Sequence, residues 1–327
     1  MLLIFRFGSP RVDILSNIIG IASLVFFALP VLQALRVSKN LNKEFDGAFQ
    51  VVALEKSYPF SFSKIITGIN AKQIVPQTIM YNSNDSLTLD FYPNQIGQKR
   101  PCIIVIHGGS WAGGTKEQLP ELNSFLAKSG YNVVTINYRL APQHLFPSPI
   151  VDVDVAIKYL QANADSLHVD AANIVLLGRS AGAQIALIAA YGLKEPAIKG
   201  VISYYGPTDM VWGYSFPANP LVLDSKKIME DYLGGTYKQV PKQYELSSAA
   251  YVVNNHSVPT LIMQGKNDPL VAYEHCNRMD RKLSEFRVKH FVLRMPWATH
   301  GCDFSLNGPG GQLTTYTTMR FLKAVLH

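Results

Sequence analysis

The chain has 327 residues, 48% of them hydrophobic, and a formal net charge of +7. That length admits one large α/β domain or two small ones. No Lys/Arg run or aromatic–basic alternation marks a nucleic-acid groove, and the widely spaced Cys102, Cys276 and Cys302 indicate neither a disulfide scaffold nor a zinc site, although one pair could form.

From Ile14 to Leu35 the chain runs ILSNIIGIASLVFFALPVLQAL without a charge. That is about the twenty apolar residues a bilayer-spanning helix needs. A cleaved signal peptide has a shorter apolar region and a small-x-small site, which is not evident before Arg36. Residues 1–40 therefore read as a single-pass N-terminal membrane anchor. The alternatives are a signal segment, leaving a secreted or periplasmic protein, and a buried helix. Arg6 and Arg11 precede the run, while Arg36, Lys39 and Lys43 follow it. That balance leans toward a cytoplasmic location for the rest of the chain.

Residues 41–76 mix charge with scattered aromatics and read as a helical stalk or part of a cap. Gln77–Tyr81 and Ser86–Tyr92 then alternate around Asn82-Ser83-Asn84-Asp85, a hairpin with Asn/Asp turn chemistry. From Pro101 apolar strands recur at helix-sized intervals: Cys102–Ile106, Val133–Tyr138, Ile174–Leu177, Gly200–Tyr205, Thr260–Gln264 and His290–Met295. The expected fold class is α/β, a mostly parallel sheet flanked by helices within residues 77–327. The alternation lapses at about 209–253, an insertion after a strand's C-terminal end that suggests a cap.

Ile174–Leu177 ends in Gly178-Arg179-Ser180-Ala181-Gly182, followed by an alanine-rich segment. Strand, sharp turn and helix form the context in which Gly-x-Ser-x-Gly exposes a nucleophile. A serine hydroxyl needs a neighbouring base, so Ser180 implies a histidine and a carboxylate elsewhere. His300 follows the strand His290–Met295, and Asp268 follows the strand Thr260–Gln264. His300 would act as base then acid, with Asp268 fixing its tautomer. His290 starts a strand, His256 sits in a loop, and Asp303 lacks strand-end context, so each is a weaker candidate. After Cys102–Ile106, His107-Gly108-Gly109-Ser110-Trp111 supplies unobstructed N–H groups, and the Ala181 N–H is a further donor. The bland alternatives are an ordinary turn serine and an ordinary glycine turn.

These motifs together resemble the hormone-sensitive-lipase-like and BD-FAE-like carboxylesterases. His107 to Trp111 is similar to the family's HGG-x-W loop. Tyr138-Arg139-Leu140-Ala141-Pro142, with Phe146-Pro147 and Asp152, is similar to its YRLAP…FP…D stretch. The elbow, Asp268-Pro269 and His300-Gly301 complete five motifs in one order, from about Gln77 onward. The resemblance implies an α/β-hydrolase fold and hydrolysis of a small-molecule carboxylic ester without cofactor or metal. It also implies oxyanion donors on Gly109, Ser110 and Ala181, with Gly108 shaping the turn. Ser110 departs from the third glycine of the lipase-like branch, Gln143 from its Glu, and Arg179 from its frequent acid. Arg179 either pairs with a carboxylate or is solvated; Arg139 is expected to pair with Asp152 as scaffold. Trp111, Trp212 and Phe216 are candidate walls of an acyl pocket, with Tyr214 a further aromatic there. An arylformamidase-type amidase shares the same patterns, and a non-catalytic binding module on a hydrolase fold is the reading from another class.

Overall fold

The computed structural model describes residues 10–51, 58–68 and 73–326. Arg6, and the parts of the expected stalk at 52–57 and 69–72, lie outside the described residues. The chain begins with helices α1 (Pro10–Phe49) and α2 (Phe62–Thr67). The strands are β1 (Gln77–Asn82), β2 (Leu87–Tyr92), β3 (Arg100–Ile106), β4 (Asn132–Ile136), β5 (Val169–Arg179), β6 (Ile198–Tyr204), β7 (Thr260–Gly265) and β8 (His290–Met295). They form one eight-stranded sheet in the order β1-β2-β4-β3-β5-β6-β7-β8. β1 and β2 pair antiparallel, as do β2 and β4; the remaining pairs are parallel. Asn82 Oδ1 accepts from the N–H groups of Asn84 and Asp85 and so closes the leading hairpin.

Helices α3 (Pro120–Lys128), α4 (Ser148–Ala162) and α5 (Ala181–Gly192) follow successive strands. Four short helices, α6 (Met210–Ser215), α7 (Ser225–Leu233), α8 (Pro241–Leu246) and α9 (Ala249–Val252), occupy the stretch between β6 and β7. α10 (Glu274–Glu285) and α11 (Pro309–Val325) complete the chain. Successive side chains on a strand face opposite ways. On β3, Cys102, Ile104 and Ile106 therefore join one buried cluster while Ile103 and Val105 join another. Both faces are covered, which is why these strands read as continuous apolar runs. The three cysteines are free thiols.

α1 has two different halves. From Val12 to Leu35 its large apolar side chains are mostly exposed, with Phe26 at 76% and Phe27 at 82%. This helix is long and apolar enough to cross a membrane, with a mean hydropathy of 2.3 in its most apolar window. Length and hydropathy fit an anchor or a signal sequence equally. Past residue 33 the same helix turns inward: Ala34, Leu41, Phe45 and Phe49 are buried in the second core. Phe45 stacks on Phe49 at 4.8 Å and meets Phe291 of β8 edge-on at 5.3 Å, while Phe49 meets Phe321 of α11 at 5.5 Å. Asn42 accepts from Tyr316 and Arg320 of α11, and Asp46 pairs with Arg320. α1 thus runs unbroken across residue 40, where composition suggested a boundary.

Candidate active site

β5 ends in a turn that only small neighbours permit. A Cβ on Gly178 would lie 2.1 Å from the Gly182 carbonyl oxygen, and one on Gly182 would lie 2.3 Å from the carbonyl oxygens of His107 and Ile106. Ser180, between them, holds φ 53° and ψ −120° at the N-terminus of α5. A non-glycine residue at positive φ is uncommon, and such strain clusters at functional sites. Its N–H donates to the Tyr204 carbonyl at 2.9 Å, which ties the turn to β6.

His300 lies beyond β8 and Asp268 beyond β7. His300 Nε2 is 3.0 Å from Ser180 Oγ, and His300 Nδ1 is 2.8 Å from Asp268 Oδ2. Asp268 also accepts from Gln264 Nε2 on Oδ2 and from the N–H groups of Leu270 and Val271 on Oδ1. Four donors thus converge on a fully buried carboxylate. With the Asp268 oxygens accepting, His300 Nδ1–H donates to Asp268 and Nε2 is left to accept from Ser180. His290 pairs with Asp280, and Asp303 pairs with Arg179. Neither rival enters the Ser180–His300–Asp268 chain.

The loop after β3 borders the same point. A Cβ on Gly108 would sit 3.2 Å from that of Ser180, so this backbone passes directly beside the hydroxyl. Gly109 has φ +125°, where a Cβ would strike the Gly113 carbonyl oxygen at 2.2 Å. Ser110 and Trp111 continue at φ 55° and 60°. The Gly108 N–H donates to Gln118 Oε1 at 2.9 Å. Those of Gly109, Ser110 and Ala181 have no acceptor among the described residues. His107 is buried, stacked on Tyr138 at 4.3 Å, and burial lowers its pKa. Arg139 grips the buried Asp152 through two nitrogens, the scaffold pair expected for them.

A cavity of about 80 Å³ opens beside Ser180. Trp111, Phe216, Ile228, Met229 and Val271 contribute apolar wall, with Ser110 and Ala181 near the hydroxyl. Trp111 is fixed by its Nε1–H to Gln184 and by stacking on Tyr232 at 4.5 Å. Trp212 stands outside the wall; it stacks on Phe216 and meets His275 edge-on. His275 does line the cavity, and its Nδ1 accepts from the N–H groups of Thr208 and Asp209 at 3.3 Å. Burial lowers it to about 4. Its position in a charged helical stretch carried no sequence signal for this role.

Among solved structures, a truncated carbohydrate esterase from gut microbiota superposes with a TM-score of 0.66 at 20% identity, covering 78% of this chain and 97% of that one. The propionate-bound esterase Est2 of Thermogutta terrifontis gives 0.63 at 18% identity, covering 76% and 94%. The fold is therefore the α/β-hydrolase fold that the motifs implied. Esterase LipC of Mycobacterium tuberculosis is 26% identical over 76% of this chain. The chain spans less than two thirds of that relative's length, 64%. A family profile for BD-FAE matches residues 89–283, more than half of the sequence. That stretch carries the His107–Trp111 loop, the Gly178–Gly182 turn and Asp268, and the chain belongs to the BD-FAE family.

Proposed function

We propose that this protein is a membrane-anchored serine esterase that hydrolyses small carboxylic esters through an acyl-enzyme. The observation that carries the reading is the unbroken hydrogen-bond chain Ser180–His300–Asp268 beside three N–H groups with no acceptor among the described residues. Ser180 Oγ attacks the ester carbonyl carbon as His300 Nε2 takes its proton. The carbonyl oxygen becomes an oxyanion, stabilised by the N–H groups of Gly109, Ser110 and Ala181. The intermediate collapses, the C–O bond to the alcohol breaks, and His300 returns the proton to the leaving oxygen. Water, deprotonated by the same histidine, then attacks the acyl-serine and releases the carboxylic acid. A cavity of about 80 Å³ with an apolar wall suits a short acyl chain. Propionate bound to Est2, a relative in fold, agrees with that size. The helical stretch at 209–253 acts as the cap, since Phe216, Ile228 and Met229 come from it.

The anchor reading rests on the long uncharged run of α1 and on the lack of a small-x-small site directly before Arg36. Wild-type protein should react covalently with a fluorophosphonate probe and prefer acetyl to hexanoyl p-nitrophenyl esters over palmitoyl. Ser180→Ala should abolish labelling and cut turnover by about 10⁶-fold, with Asp268→Asn lowering kcat by about 10⁴-fold. Folded protein inert to the probe and to every ester would establish the binding-module reading instead. Rapid turnover of an aryl formamide with negligible esterase activity would establish the amidase.

A further inference from the structure

His300 has a longer reach to make than its partners. It follows the edge strand β8, whereas Ser180 follows β5, three strand positions inward. At about 4.8 Å per strand that is about 14 Å of lateral travel. A loop crossing such a gap needs to be tied down if a 3.0 Å contact is to persist at its tip.

The tie is a carboxylate three residues beyond the histidine. Asp303 Oδ2 accepts from Arg179 Nε at 2.7 Å, and Oδ1 accepts from the Tyr205 hydroxyl at 2.7 Å. Arg179 is the last residue of β5 and adjoins Ser180; Tyr205 directly follows β6. One side chain thus fastens the histidine loop to the ends of two inner strands, and Arg179 and Asp303 are each only 1% exposed. Tyr205 adds a second hold. Its ring lies 4.5 Å from the His300 ring, and its backbone adopts φ 43°, an outlier for a bulky residue. The Arg179 guanidinium rests 5.5 Å over the Tyr204 ring, which is itself pinned by its hydroxyl to Thr318.

A buried ion pair is weak as a stabilising device, because desolvation of both charges offsets much of their attraction. Its location is more telling: its two members flank the nucleophile and the base in the chain. We propose that Asp303, gripped by Arg179 and Tyr205, is a positioning residue that holds His300 in register with Ser180. The inference rests on the triad reading above and gives the Arg179 elbow residue a role in it.

The test compares full-length wild type, Arg179→Lys, and the double variant Arg179→Met/Asp303→Asn, which removes both charges together so that neither is buried alone. Circular dichroism and melting establish folding; p-nitrophenyl acetate gives kcat and KM. In the double variant kcat should fall 10- to 100-fold, about what a misplacement near 1 Å costs, with KM changed by less than about 3-fold. Fluorophosphonate labelling should slow in proportion. Arg179→Lys, which keeps the charge, should recover part of the lost kcat. If the double variant does not fold, Tyr205→Phe deletes a single hydroxyl and should lower kcat about 10-fold at unchanged KM. A folded variant with wild-type kcat, or one in which KM rises as much as kcat falls, overturns the positioning role. A wild type that neither labels nor turns over sinks the triad reading and this inference with it, whereas an active wild type with indifferent variants sinks only this one.

Discussion

His275 is the residue whose environment speaks most directly to pH. Burial lowers it to about 4, and the attraction of Asp209 only partly offsets that. An unfolded histidine titrates near 6.5. Between those values the unfolded chain binds a proton that the folded one does not, so stability rises with pH across the window and is lost as pH falls through it. The full effect is on the order of 3 kcal/mol. Urea unfolding at pH 4 to 6.5 should show this slope in wild type, and His275→Gln should flatten it; an unchanged slope would refute the assignment. His290 does not interfere: burial pulls it down, but its bond to Asp280 carries it above its ordinary value and out of the window. The sequence offered no hint of His275, whose burial depends on α6 and α10 meeting. Ser180, Asp268 and His300 were visible because each sits at a strand end in a motif whose residue types are dictated by chemistry. Arg179 and Asp303 stand 124 positions apart, and no local pattern records that such residues meet.

Among the elements, the sheet was the most readable. A strand buried on both faces has to be apolar throughout, so β3, β4, β6 and β7 announced themselves within a few residues of their ends, whereas the polar start of β5, Val169–Asn173, did not. α1 was legible only in part. Its composition changes near residue 40 and suggests a boundary, yet a helical backbone continues through a change of side chains as long as no breaker intervenes. The buried phenylalanines could not be distinguished in advance from exposed ones, because their partners Phe291 and Phe321 lie far along the chain. The two halves of the helix should therefore respond differently to the same substitution. Phe45→Ala should destabilise the folded protein by about 3–5 kcal/mol, as expected for removing a packed aromatic side chain. Phe27→Ala, at a position 82% exposed, should change it by less than about 0.5 kcal/mol in detergent. Denaturant titrations of both variants decide the matter, and equal effects would mean that α1 does not dock as described.

For the whole molecule, the proposed anchor predicts that full-length protein stays with membranes through carbonate extraction. A chain beginning at Val31 should leave them and keep its activity, because Ala34, Leu41, Phe45 and Phe49 are retained. Recovery of intact full-length protein in the soluble fraction would sink the anchor, and a mature form starting after Ala34 would establish signal cleavage.

The unbroken run of α1 bears on how such an enzyme would meet its substrates. A domain on a flexible tether sweeps a volume set by the length of its leash and collects molecules from bulk water. Here the exposed half of α1 passes into the docked half without intervening loop, so a domain anchored through it would have almost no leash. Its catch would come from a thin shell at the lipid surface, where esters enrich according to how they partition. Their turnover would follow surface density more closely than bulk concentration, and diluting a fixed amount of substrate into more lipid should slow it.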